Sequence, residues 1–249
     1  MTEHFFIIGA QRTGTTYLYH LLAEHLEIEM AQPLKPEPKY FLIDSLFAQG
    51  LETYQTRYFS GKSGVWLRGE KSTSYIESEK AAERVARCFP NAKILIVLRE
   101  PVSRAISNYW FSVNNGLETL PLAEAFYQED SRWQDYDHAR ISASPYAYLR
   151  RGKYIDYLVL YEAYFPASNI HCLLHEQLLA DPESLPDLYR FLGVASDFEP
   201  AGRGQKVNPS ARDEREISPE LARYLREYFA DSNARLAAHL GLALRRWWG

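Results

Sequence analysis

Short apolar runs alternate along this chain with apolar stripes at helical spacing. Phe5-Phe6-Ile7-Ile8 predicts a buried strand over 4–8 that stops at a glycine turn beginning at Gly9. From about Thr15, Leu18, Leu21, Leu22 and Leu26 fall on one face and predict a helix. Pro33, Pro36 and Pro38 break the next stretch, so 33–39 is expected to be a surface loop. Val65 to Leu67 predicts a second short strand leading into Gly69-Glu70-Lys71-Ser72. A helix is expected from Ser78 to Phe89, with Ala81, Val85 and Phe89 inward. Ile94-Leu95-Ile96-Val97-Leu98 is apolar at every position, the pattern of a central parallel strand covered by helices on both faces. Pro101 stands where a helix takes its first residue.

The second half continues the alternation. The stretch 130–145 is polar and irregular and reads as a mobile excursion. Tyr154, Tyr157, Leu158, Tyr161 and Phe165 form a helical stripe, and Ile170 to Leu174 predicts a strand. Leu185, Leu188, Tyr189 and Leu192 mark a helix ended by Gly193. A loop is expected over 199–212, then a helix started by Ser218-Pro219 with Leu221, Tyr224, Leu225 and Tyr228. No repeat, low-complexity tract or linker interrupts the chain. The expectation is an α/β fold in three layers, a central mostly parallel sheet flanked by helices, as one domain over 1–249.

Composition narrows the function classes. Lys and Arg total 28 against 32 Asp and Glu, a net charge of −4 over 249 residues. That balance argues against a nucleic-acid binder or a polybasic membrane binder. Two cysteines exclude a disulfide framework and a Cys-rich zinc fold. The apolar run at Phe5 is too short for a signal-peptide core or a membrane span, and a strand beginning almost at Met1 leaves no room for a presequence. The expectation is therefore a cytoplasmic chain with no transmembrane segment and both thiols reduced.

Gly9-Ala10-Gln11-Arg12-Thr13-Gly14-Thr15-Thr16 lies between the first strand and the first helix. Backbone N–H groups and the helix dipole make such a turn a phosphate cradle, and threonine hydroxyls add donors. The loop departs from the nucleotide-triphosphate motif, because Thr15 stands where that motif requires Lys. Its cation, Arg12, lies inside the loop. The strong strand ends in Arg99, where an NTPase often places a magnesium-holding Asp. What remains is a phosphate site without evident need of a metal. Arg99 sits at the carboxyl end of that strand, with Ser103 and Ser107 on one face of the following helix, a composition suited to a second phosphate. A plainer alternative pairs Arg99 with Glu100.

Together these segments resemble the sulfotransferases that use 3′-phosphoadenosine 5′-phosphosulfate (PAPS). The resemblance implies that Gln11, Arg12, Thr13, Gly14, Thr15 and Thr16 bind the 5′-phosphosulfate, and that Arg99 and Ser107 bind the 3′-phosphate. Glu70-Lys71-Ser72-Thr73-Ser74-Tyr75 is similar to a stretch of the carbohydrate-sulfating branch, which includes the heparan sulfate enzymes. There the Glu is the catalytic base. Arg151-Gly152-Lys153-Tyr154, Phe165-Pro166 and Phe191-Leu192-Gly193-Val194 are also similar, so the resemblance runs over nearly the whole chain. Arg12 replaces the more frequent Lys, and Cys88 and Cys172 do not match the disulfide of the heparan enzymes. The loop closing over the 3′-phosphate is expected near Gly202-Arg203-Gly204-Gln205-Lys206, with Arg203, Gly204 and Lys206 as its contacts.

The implied reaction moves a sulfuryl group from PAPS to a hydroxyl or amine, leaving 3′-phosphoadenosine 5′-phosphate (PAP). It demands charge stabilisation on the leaving phosphate and a base for the acceptor. Arg12 would supply the first, Glu70 the second, and Lys71 would orient the acceptor or touch the sulfuryl group. The plainer alternative for Glu70 is a surface carboxylate paired to Lys71. The acceptor class stays open among small molecules, carbohydrates and lipids, because acceptor pockets come from loops such as 31–64 and 111–147. A small-molecule kinase or NTPase with an unusual loop, and a silent nucleotide-binding protein, are the rival readings. His171 and His175 share the spacing of a helical metal pair, but in a strand four residues span about 13 Å, too far for one metal.

Overall fold

The computed structural model describes residues 2–137, 141–204 and 217–248. They fall into two compact units, residues 1–98 with 159–207 and residues 99–158 with 208–249. The first unit holds the sheet. Its strands are β1 (Glu3–Gly9), β2 (Ile28–Met30), β3 (Leu67–Lys71), β4 (Lys93–Leu98) and β5 (Ile170–Leu174). With them run α1 (Thr15–Glu24), α2 (Asp44–Phe47), α3 (Gly50–Tyr58) and α4 (Glu79–Cys88). The second unit holds α5 (Pro101–Asn114), α6 (Leu122–Tyr127) and α7 (Glu129–Arg132). The chain returns to the first unit through α8 (Tyr154–Glu162), followed there by α9 (His175–Ala180) and α10 (Ser184–Leu192). It ends in the second with α11 (Pro219–Leu240) and α12 (Arg245–Trp248).

The five strands lie in the order β2-β3-β1-β4-β5, and every pairing is parallel. This is the expected parallel sheet flanked by helices. Strand alternation sorts its residues between two faces. Phe5, Ile7, Leu95 and Val97 pack with Leu18, Leu21 and Leu22 of α1 and with Leu185, Leu188 and Leu192 of α10. Phe6 points the other way, with ring centroids 5.6 Å from Phe41 and 5.7 Å from Phe89. The second unit has its own core, where Ile106 and Tyr109 of α5 meet Phe126, Tyr148, Leu225 and Phe229.

Several local expectations change. Leu26 does not extend the helical face: α1 stops at Glu24, His25 turns extended, and Leu26 is 70 % exposed. The second predicted strand begins later, because Val65 and Trp66 lie outside it and β3 runs Leu67–Lys71. Glu70 and Lys71 are thus sheet residues. β2, α2, α3, α6, α7, α9 and α12 have no counterpart in the sequence pattern, and α7 begins the stretch expected to be irregular. Phe89 caps α4 instead of lying within it. Pro101 does open α5, and Ser218 caps α11 by accepting from the Leu221 N–H at 3.1 Å.

Candidate functional site

The glycine loop expected to hold phosphate lies between β1 and α1, at the carboxyl end of the central strand β1. Thr13 is buried and donates from Oγ1 to the Ala10 carbonyl at 2.8 Å, closing the turn on itself. The Ala10 N–H donates to the Val97 carbonyl of β4 at 3.0 Å, which ties the turn to the neighbouring strand. Arg12 has φ 67 and Gly14 has φ 88. A left-handed arginine is uncommon and carries backbone strain, a feature that concentrates at ligand sites. Gly14 is the N-cap of α1 and has no side chain with which to cap that helix's first amides. Those N–H groups, the positive end of the dipole and the hydroxyls of Thr15 and Thr16 make a cradle suited to a phosphate or sulfate group. Gln11 reaches sideways, its Nε2 3.4 Å from Ser74 Oγ, so the loop meets the Glu70–Tyr75 segment.

β3 lies beside β1 with Glu70 opposite Phe6 and Lys71 opposite Ile7. Alternation therefore sends the two side chains to opposite faces. Glu70 turns into the aromatic layer and is 1 % exposed. Its Oε1 accepts from Ser72 Oγ at 2.6 Å, and that hydroxyl accepts in turn from the Lys39 N–H at 2.9 Å. Burial pushes its carboxyl up to about 7, against the opposing pull of the Ser72, Tyr75 and Tyr54 hydroxyls. Glu70 is therefore no surface carboxylate paired to Lys71.

Lys71 is buried and forms an ion pair with Glu37. Glu37 comes from the proline-broken loop, where the pattern predicted only surface. Its Oε2 accepts from the Thr73 N–H at 2.9 Å, and Thr73 Oγ1 lies 3.1 Å and 3.0 Å from its two oxygens. Three donors occupy an anion with about four acceptor sites, so room is left for one further donor. Glu37 is the functional candidate missed in the sequence. The signal for it was an acid held between two prolines, three residues before the aromatic pair Tyr40-Phe41.

In the second unit, Arg99 precedes α5 and its carbonyl accepts from Tyr154 Oη at 2.8 Å. Glu100 caps α5, accepting from Val102 N–H at 2.8 Å and Ser103 N–H at 2.6 Å. Ser107 is buried on α5. Beside it Arg104 and Arg151 are fully buried and both donate to Asn108 Oδ1, at 3.1 Å and 3.5 Å. Of the expected closing loop, Arg203 pairs with Glu199 at 3.1 Å and donates to the Pro182 carbonyl at 2.7 Å. The Gly204 N–H donates to Tyr17 Oη at 2.8 Å, which pins that loop to α1. Lys206 lies outside the described residues. Among the described residues no three His, Cys, Asp or Glu side chains gather as a metal site, and no helix is long and apolar enough to cross a membrane.

Known proteins share this fold. The sulfotransferase domain family matches residues 2–208. The chain is similar to mouse bifunctional heparan sulfate N-deacetylase/N-sulfotransferase 4, 29 % identical over 98 % of this chain and 31 % of that protein. It is also similar to mouse heparan sulfate glucosamine 3-O-sulfotransferase 5, 30 % identical over 73 % of this chain and 50 % of that protein. The chain thus spans only about a third to a half of the length of these two relatives. Among solved structures, mouse sulfotransferase SULT7A1 complexed with PAP has the same fold, with TM-score 0.59 and 15 % identity over 92 % of this chain and 84 % of that one. A sulfotransferase from Alicyclobacillus acidocaldarius superposes with TM-score 0.80 at 30 % identity, covering 99 % of both chains. Matched by the family model over most of its length and by that bacterial structure from end to end, this chain belongs to the sulfotransferase family.

Proposed function

We propose that the chain transfers a sulfuryl group from PAPS to a hydroxyl or amine, and that Glu37, not Glu70, is the base that meets the acceptor. The observation that carries the reading is the phosphate loop with its uncapped α1 terminus, set beside a carboxylate held by Lys71 and Thr73. The donor supplies the sulfuryl group, whose bond to the 5′-phosphate breaks as the bond to the acceptor forms. Arg12 and the amides of 13–16 hold the 5′-phosphate and oppose the charge it gains. Arg99 and Ser107 take the 3′-phosphate, a role supported by their motif.

Exposure supports Glu37 over Glu70. Glu70 is walled in by Tyr54 and Tyr75, whereas the Glu37 side chain is 16 % exposed. A base must come within hydrogen-bond reach of the proton it takes, and only Glu37 has both an open acceptor site and access to solvent. Lys71 and Thr73 fix its orientation, so Lys71 positions the base instead of touching the acceptor. The heparan sulfate relatives support a carbohydrate acceptor, with small-molecule and lipid alcohols as the alternatives. The cytoplasm is the compartment we propose, supported by two unpaired thiols, Cys88 and Cys172.

Calorimetry and turnover test the reading together. PAP should bind without Mg²⁺ and more tightly than Mg·ATP; equal or better binding of Mg·ATP would favour a kinase. In a labelled-donor assay over sugars, glycolipids, phenols and alkyl alcohols, Glu37→Gln should reduce turnover about 10²–10⁴-fold with PAP affinity kept. Glu70→Gln should reduce it far less. The reverse ranking would return the role of base to Glu70.

A further inference from the structure

We propose that His175 is a positioning residue for the phosphate loop, holding the left-handed turn at Gly14 from across the sheet. The inference rests on the sulfotransferase reading of that loop. β5 is an edge strand, two places from β1 in the order β1-β4-β5, or about 10 Å at the usual strand spacing. It ends at Leu174, and His175 is the first residue of α9. From there the half-buried imidazole reaches past the end of β4 and lies against Gly14. A Cβ on Gly14 would overlap His175 Nδ1, and would lie 2.8 Å from Cε1 and 3.5 Å from Cγ. The ring edge thus fills the space a side chain would need.

The contact falls on the most consequential residue of the loop. Gly14 caps α1, and its carbonyl accepts from the Leu18 N–H at 3.1 Å in the first helical turn. A shift at Gly14 would re-aim the amides of Thr15 and Thr16 that the cradle depends on. The ring blocks one direction of that shift, and the β4 tie from Ala10 restrains the other end of the loop. Holding donors in the bound arrangement before the ligand arrives is a source of affinity. The other reading of this histidine, a metal pair with His171, fails on geometry. His171 stacks on Phe191, with centroids 4.9 Å apart, as part of the α10 face.

The test is a double-mutant cycle between positions 14 and 175, read by PAP calorimetry and by thermal unfolding. His175→Ala should weaken PAP binding about 10-fold, within the range for coupling between touching residues. His175→Phe, which keeps a flat ring against Gly14, should recover most of that loss, and the donor KM should rise more than kcat falls. Gly14→Ala should be markedly worse in the wild-type background than beside His175→Ala, where the methyl has room. In the wild-type protein, the His175 Cε1–H resonance should shift when PAP is added. Wild-type affinity in His175→Ala, identical Gly14→Ala losses in both backgrounds, or an unmoved resonance would each overturn the proposal. A wild-type protein that does not bind PAP would instead refute the donor assignment. The coupling between positions 14 and 175 would still be judged from thermal unfolding, which needs no nucleotide.

Discussion

Replacing Glu70 by Gln should change how the stability of this protein responds to pH. Burial raises the Glu70 carboxyl from its ordinary 4.5 to about 7 in the fold, while the unfolded chain releases the same proton at the ordinary value. Between those limits the native state holds a proton that the unfolded state has lost. Stability therefore falls as pH rises through the window. Below it both states are protonated and nothing is lost; above it both are ionised and the penalty is complete. Each pH unit of the displacement is worth about 1.4 kcal/mol, so Glu70 costs the wild type about 3 kcal/mol by the upper end. Glu70→Gln removes the titration but keeps an oxygen for Ser72 Oγ to donate to. Any packing cost of the amide is the same at every pH. The stability of the variant relative to wild type should thus improve by about 3 kcal/mol between pH 4.5 and about pH 8, measured by urea unfolding at both ends. Titrating groups that do not interact with Glu70 cancel in the difference. A difference that stays flat, or that moves against the variant, would show that Glu70 ionises in the ordinary range and that the burial argument is wrong.

Two further outcomes are expected. A Cβ at Gly69 would overlap Phe5 Cζ and lie 2.6 Å from Met30 Sδ, so Gly69→Ala should destabilise by about 1–3 kcal/mol in thermal melting; an unchanged midpoint would mean that the β2-β3-β1 layer yields more easily than its packing implies. Arg99→Ala should weaken PAP binding by about 1.5–3 kcal/mol with turnover at saturating donor retained, whereas Arg12→Ala should lower turnover more than binding; the same pure binding defect in both would refute the division of roles.

Much of the frame was legible in the chain because it is written in long apolar runs. β1 and β4 carry unbroken apolar runs, β5 is apolar but for His171, and the stripe on α10 repeats through two turns. The losses came where tertiary contacts outweigh local pattern. Ile28-Glu29-Met30 is too short to show a period, and Glu29 is tolerated in a buried strand because Ser60 and Arg68 satisfy its carboxylate. Leu26 continues the spacing of α1 beyond the point where the backbone has left the helix. The phosphate loop was readable because glycine and hydroxyl residues are needed at fixed places in a turn. Glu37 was hidden for the opposite reason: its partners are Lys71 and Thr73, more than thirty residues away, and proline punctuation alone looks like surface. The burial of Glu70 was hidden because its motif gave its neighbours but not the face it turns to.

The adjacency of Glu70 and Lys71 in a strand makes the register of β3 part of the chemistry. A slip of one residue would send Lys71 into the aromatic layer and bring Glu70 out, exchanging a cation for an acid at the wall that faces Glu37. β3 is held against this on both sides, by β2 through Leu67, Arg68 and Gly69 and by β1 along its whole length. The loop between β2 and β3 carries Glu37 at one end, and the strand carries Lys71 at the other. A redesign for a new acceptor must leave the spacing from Lys71 through Thr73 intact, and with it the buried Tyr54 of α3, because there sequence register and the polarity of the wall are the same variable.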